Sequence, residues 1–260
     1  MDAGITIGVP GSWETRGEVV AAIARHGEGF SFDGNVLVDA AAEQSYAVEV
    51  CDHDPRLHEA FRWAGVGQIP ERDIRAIARH GHTLYCRCSD RSADSARGML
   101  RVGAALLEAG GLAVKVDSSG GAYSAELWRE FAASGKLVDL YSAFVTLAHD
   151  TASFFSCGMH NFGLPDAAVP RDLPDDTAAQ LLNVFNYYRL AERPSLKTGH
   201  TFSVEPDGKS FRISKAACSN YGPQHPFHNP FGMWKLKKVR AASTAASGQA
   251  KPGKVLPFRR

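Results

Sequence analysis

Apolar and polar positions alternate along Ile5-Thr6-Ile7-Gly8-Val9 and predict a first strand, which Pro10-Gly11 stops. Thr15 and Glu18 form a capping box ahead of Val19, Val20 and Ile23 at helical spacing, and Gly27 closes that helix. Val36-Leu37-Val38 and Tyr46-Ala47-Val48-Glu49-Val50 are β-branched or alternating, so both read as strands. Asp54 is expected to cap a helix with Pro55 at its first position and Leu57, Phe61 and Ala64 on one face. Pro70 opens a shorter helix carrying Ile74 and Ile77. Thr83 to Cys88 follows period two and predicts a strand. A longer helix is expected from about Ser92 to Ala109, with Met99, Leu106 and Leu107 inward, followed by a strand over Leu112 to Val116.

Further along, Ser124 caps a helix bearing Leu127, Trp128 and Phe131. Leu137 to Ala148 is apolar and β-branched enough for a long strand, with helix as the alternative. Thr177 and Gln180 make another capping box ahead of Leu181, Leu182, Phe185 and Tyr188. Thr201–Val204 and Phe211–Ile213 flank Pro206-Asp207-Gly208, a hairpin signal in which glycine supplies positive φ. Strands occur both between helices and as a hairpin. The expected fold is therefore α+β, a mixed or antiparallel sheet layered with helices, with a C-terminal hairpin. Residues 1–236 read as one composite domain, and a seam near 135–150 is the alternative because the first half already has a β-α-β-β-α-β-like order.

Composition sharpens this picture. At 44% hydrophobic and 22% charged the 260-residue chain is an ordinary globular one, which excludes wholesale disorder. The net charge of +1 hides an asymmetry: residues 235–260 carry eight basic and no acidic groups, while residues 1–234 carry 21 basic and 28 acidic, or −7. Small residues without apolar period fill 241–254, so residues 237–260 are expected to be a disordered basic tail. Nucleic acid is then an expected partner only weakly, through 235–260, and the acidic body argues against it. Five cysteines, an odd number in a long chain, together with an N-terminus lacking a basic region and an apolar run, point to a cytoplasmic protein with reduced thiols. The longest near-apolar stretch, 143–148, is far too short to span a membrane, so no membrane partner is expected.

Several strong signatures are missing. Gly208-Lys209-Ser210 lacks the upstream glycine and the strand–loop–helix context of a phosphate loop. Gly65-Val66-Gly67 lacks the third glycine of a dinucleotide fingerprint. Cysteine and histidine do cluster. Cys51 stands near His53 and His58, Cys86 and Cys88 share one side of a strand, and Cys218 precedes His225 and His228. No two paired cysteine spacings occur, so no metal and no cofactor is expected, with Cys218, His225 and His228 the weak candidates for a metal. Cys157 with His160 is the weak candidate for a nucleophile and base, since a thiol needs a lowered pKa that nothing in the sequence supplies.

Two segments stand out, Ser156 to Asp166 and Ser219 to Trp234. Glycine and proline fix the backbone of each, and large aromatics sit between them. One reading is a clasp in which Phe227, Phe231 and Trp234 plug the core. The other is a rigid aromatic groove for a peptide or small ligand, lined by His160, Asn161, Tyr221, His225, His228, Asn229 and Trp234. The run Cys157-Gly158-Met159-His160-Asn161-Phe162-Gly163-Leu164-Pro165-Asp166, the helix after it and Lys197-Thr198-Gly199-His200-Thr201-Phe202 resemble the bacterial domain-of-unknown-function family 4261 over roughly residues 110–215. That resemblance implies a soluble α+β domain and carries over no catalytic residue.

The expected function is accordingly a non-catalytic module that binds a protein or peptide. The alternative is an enzyme with a dispersed site built from Cys157, His160, His225 and His228, which requires those side chains to converge.

Overall fold

The computed structural model describes residues 4–27, 29–206 and 208–239. The chain divides between Phe144 and Val145 into two compact units, 1–144 and 145–260. The first holds β1 (Ile5–Gly11), α1 (Arg16–His26), β2 (Phe30–Phe32), β3 (Val36–Asp39), β4 (Gln44–Cys51), α2 (Leu57–Ala64), α3 (Glu71–Ile77), β5 (His82–Cys88), α4 (Ala93–Glu108), β6 (Ala113–Val116), β7 (Gly121–Ser124), α5 (Ala125–Ser134) and α6 (Leu137–Phe144). Its sheet runs β2-β3-β4-β5-β1-β6-β7, and every neighbouring pair is antiparallel.

Period two explains this sheet. Tyr46, Val48 and Val50 alternate with exposed residues along β4. Register sets Val48 opposite Cys86 and Cys86 opposite Ile7, with Val50, Leu84 and Val9 forming the next row. All six are buried on one face. On the other face, α2 and α3 bring Leu57, Phe61, Ile74 and Ile77 over Ala113 and Ala122.

The helix starts show how local chemistry is used. Thr15 Oγ1 accepts from the Glu18 amide at 3.2 Å, while the Glu18 carboxylate accepts from the Glu14 amide at 2.9 Å. Ser92 and Ser124 cap α4 and α5 in the same way. Gly103 lets α4 and α5 approach: a Cβ there would lie 2.7 Å from Trp128 Cε2. The buried indole donates to the Leu100 carbonyl at 3.1 Å.

The second unit holds β8 (Thr146–His149), β9 (Ser153–Cys157), a 3-10 turn (Met159–Phe162), β10 (Asp166–Pro170), α7 (Asp175–Glu192), β11 (Thr201–Phe202), β12 (Phe211–Ala216) and β13 (Met233–Lys238). The sheet order is β11-β12-β13-β10-β9-β8. β10 and β13 are parallel and the other pairs antiparallel, so this sheet is mixed. α7 covers one face, where Leu181, Leu182 and Phe185 meet Val169, Ile213, Trp234 and Leu236. On the opposite face Phe155, Ala168 and Met233 form a small cluster with Tyr221 packed on it.

The α+β class stands, with its hairpin formed by β11 and β12. Five local readings change. Pro10-Gly11 does not stop β1, which runs through both residues and pairs them with Thr83 and His82. Leu137 to Ala148 is not one strand: Leu140, Tyr141 and Phe144 are buried at helical spacing in α6, and β8 follows. Asp54 does not open α2 directly. It accepts from the Arg56 amide at 2.9 Å in a turn, and the helix begins at Leu57. Thr177 lies inside the first turn of α7, which starts at Asp175 because Pro174 fixes the preceding backbone and Asp175 and Asp176 complement the helix dipole. Lys237 and Lys238, placed in the tail by composition, belong to β13, where Lys237 pairs with Arg212. The remainder of the expected tail, 240–260, and Asp207 of the hairpin turn lie outside the described residues.

Candidate binding site

The second unit is organised around one buried carboxylate. Asp166 begins β10 and is completely enclosed. Its Oδ1 accepts from the Ser156 hydroxyl and from the Met159 amide, both at 3.1 Å. Its Oδ2 accepts from Asn229 Nδ2 at 2.6 Å. The same amide group donates to the Leu164 carbonyl at 3.0 Å. Ser156 in turn accepts from the Ala167 amide at 2.9 Å. Arg189 of α7 donates to the Pro165 carbonyl at 2.7 Å and to Asn186 Oδ1. Burial raises the Asp166 carboxyl from its ordinary 3.8 to about 6, against the opposing pull of Asn229, Met159, Ser156 and the Arg189 charge. With three donors on its two oxygens and no exposed edge, this carboxylate is an anchor.

What it anchors is the segment between β12 and β13. Asn229 Oδ1 accepts from the Phe231 amide at 2.9 Å, so one side chain fixes both the turn after β9 and the approach to β13. Above that anchor three rings gather. Tyr221 and His225 stack with centroids 4.5 Å apart and planes 22° apart. Phe227 meets Tyr221 edge-on at 5.3 Å and His225 at 4.9 Å. Tyr221 also meets Phe155 edge-on at 6.1 Å, seating the cluster on the sheet. His225 Nδ1 accepts from the Phe227 amide at 3.1 Å, and His228 Nδ1 lies 2.9 Å from the Tyr221 carbonyl. Proline at 223, 226 and 230 stiffens the segment.

Tyr221, His225 and Phe227 thus come together, with His225 exposed and the other two half-buried. His228 stays beside them through the Tyr221 carbonyl, and the other expected ligand contacts separate. His160 and Asn161 are buried within the 3-10 turn, so neither offers an edge to a ligand. Asn229 is the buried anchor. Trp234 faces α7, on the far side of the sheet from Tyr221. Phe231, expected as a core plug, is 37% exposed.

Burial pushes the Cys157 thiol far up, helped by the nearby Asp166 charge and Cys218. A protonated, buried thiol does not serve as a nucleophile. Cys218, His225 and His228 do not assemble into a metal centre: among the described residues no group of three or more His, Cys, Asp or Glu is arranged to hold a metal ion. All five cysteines are free thiols.

Beside the rings the outward face of β12 and β13 is basic. Met233 lies beneath Tyr221, Lys235 is two residues on, and Lys237 pairs with Arg212 two residues further. Side chains two apart share a face, about 7 Å apart. Lys235, Lys237 and Arg212 are exposed. Residues 145–260 hold 15 basic and 8 acidic groups, or +7, and residues 1–144 hold 14 basic and 20 acidic, or −6. Among the described residues no helix is long and apolar enough to cross a membrane. Compared with protein-family models, curated proteins and solved structures, the chain matches none.

Proposed function

We propose that the chain is a non-catalytic binding protein whose second unit takes an extended peptide with an apolar anchor followed by acidic residues. The observation that carries this reading is the partly exposed cluster of Tyr221, His225 and Phe227, tied to a buried carboxylate at one end of a basic strand face. A stiff aromatic platform orders little on binding, which favours capture of a flexible segment. Lys235, Lys237 and Arg212 continue along the same face and complement Asp or Glu downstream of the anchor. The enzyme alternative draws no support from Cys157, whose thiol is enclosed and protonated. Five free thiols accord with a reducing compartment such as the cytoplasm.

The test is selection from a random displayed-peptide library on the intact protein, with Tyr221→Ala and Lys235→Glu/Lys237→Glu variants as counter-selections. The expected result is enrichment of apolar-then-acidic peptides, with the alanine variant weakening them at least tenfold, about 1.4 kcal/mol. The charge-reversed variant is expected to weaken them further at low salt. Enriched peptides that bind both variants as well as the parent would place recognition elsewhere.

A further inference from the structure

A cavity of about 700 Å³ opens in the second unit, between the end of β13, the start of β12 and the turn that leads from β10 into α7. Small-molecule sites typically measure about 300–1,000 Å³. Part of its lining is apolar: Phe211 belongs to the core under α7, and Leu173 packs on that same core. The rest is strongly basic, with Lys209, Lys237 and Lys238. Lys238 follows Trp234 and Leu236 at period two, on the α7 side of the sheet, and stands opposite Phe211 in the ladder. The Val239 amide donates to the Ser210 carbonyl at 2.9 Å, which holds the two lysine-bearing segments together. All three lysines are exposed, and among the described residues none has an ion pair. Asp172 also lines the cavity and offsets one of the three charges, leaving two.

We infer that this cavity binds a small organic phosphate, a monoester whose dianion meets the lysines while its apolar body lies against Leu173 and Phe211. Charge selects the head group. Like charges gathered around one hollow repel, and a dianion matches the two that Asp172 leaves uncompensated. Shape selects phosphate over carboxylate. Ammonium groups are point charges that suit a tetrahedral anion, and no arginine lines the cavity to offer the planar fork that carboxylates favour. The apolar lining selects against a bare ion, which would leave Leu173 and Phe211 unused. This site goes beyond the peptide-binding reading, which rests on Tyr221 and the opposite face of β13. Lys237 borders both, so the test spares it.

The experiment is a titration of the full chain with phenyl phosphate, followed by amide nuclear magnetic resonance. Saturable shifts are expected at Leu173, Phe211 and Val239 in the millimolar range. Lys209→Gln/Lys238→Gln should weaken binding about tenfold without disturbing the rest of the spectrum, and added salt should weaken it in the parent. Inorganic phosphate should bind about tenfold more weakly than phenyl phosphate, and neutral benzyl alcohol should give no saturable shift. Tyr221→Ala should bind phenyl phosphate as the parent does. The proposal is overturned by an absence of saturable shifts at those three residues, by a double variant that binds like the parent, or by benzyl alcohol acting as phenyl phosphate does. Inorganic phosphate that binds as tightly as phenyl phosphate overturns the role given to Leu173 and Phe211.

Discussion

Asn229 donates to Asp166 at 2.6 Å across 63 residues of sequence, and this bond joins the turn after β9 to the segment that presents Tyr221. Removing the amide leaves a buried carboxylate short of a donor, which typically costs about 1–3 kcal/mol. Asn229→Ala is expected to lower stability by that amount and to loosen the ring cluster. Urea unfolding measures the first effect. Nuclear magnetic resonance line broadening at Tyr221 and Phe227 measures the second.

Asp166 also sets a pH dependence. Its folded carboxyl titrates near 6 and its unfolded one near 3.8. Between those values the folded state holds the proton and the unfolded state does not, so stability falls as pH rises from about 4 to about 6. The shift corresponds to roughly 3 kcal/mol. Asp166→Asn has no proton to titrate. It should flatten that slope while lowering stability throughout, because its amide would face the Asn229 donor. Urea midpoints for both proteins across pH 4–7 decide the matter.

The first unit should respond to acid in the opposite sense. His80 is buried: Nδ1 donates to the Ile77 carbonyl at 2.7 Å, and Nε2 accepts from the Asp54 amide at 3.3 Å. That arrangement uses the neutral ring, and burial holds its pKa below the ordinary 6.5. The unfolded ring takes up a proton more readily, so stability contributed by His80 is lost as pH falls below about 6.5. An imidazole titration followed by nuclear magnetic resonance should show a midpoint below that value. A midpoint at or above it would contradict the assigned bonding.

Gly103→Ala tests the closeness of α4 and α5. Alanine favours helix by about 1 kcal/mol over glycine, but its methyl would overlap the Trp128 indole. Overpacking of this kind typically costs about 1–3 kcal/mol. Net destabilisation is expected, with a shift in buried-tryptophan fluorescence as the Trp128–Leu100 bond is disturbed.

Val66→Gly should do the reverse, because Val66, in the turn between α2 and α3, stands at φ +47°. A left-handed conformation costs an L-residue roughly 1–2 kcal/mol, and glycine gives part of that back as unfolded-chain entropy. A gain of up to about 1 kcal/mol in thermal unfolding is expected.

The sequence shows most clearly what is decided within a few residues. Thr15, Ser92 and Ser124 cap helices because the bond each makes is three residues away. β11 and β12 do pair as a hairpin around the Pro206–Gly208 signal, but through a connection over 203–210 that is longer than the signal. Leu137 to Ala148 resists reading because a short apolar run suits a helix and a strand equally. The aromatic cluster is visible as composition in residues 219–234. Its anchor is not, because Asp166 and Ser156 gain their role from Asn229, a partner set in place by the parallel pairing of β10 with β13. The 84% exposure of Trp63, near the end of α2, is hidden for another reason: exposure depends on what the rest of the chain leaves uncovered, and only Gly65-Val66-Gly67 hints at a tight turn there.

The order β12-β13-β10 puts the last strand of the described chain in the middle of its sheet. During synthesis, residues 1–144 can complete their sheet while the rest is still being made. The second unit cannot. Until Met233–Lys238 has left the ribosome, β10 and β12 lack the strand that joins them, and α7 has only part of the surface it will cover. The second sheet can therefore close only once its C-terminal strand has been made. A chain stopped before residue 233 would lack the strand that joins β10 to β12 and would leave the facing edge of each unpaired.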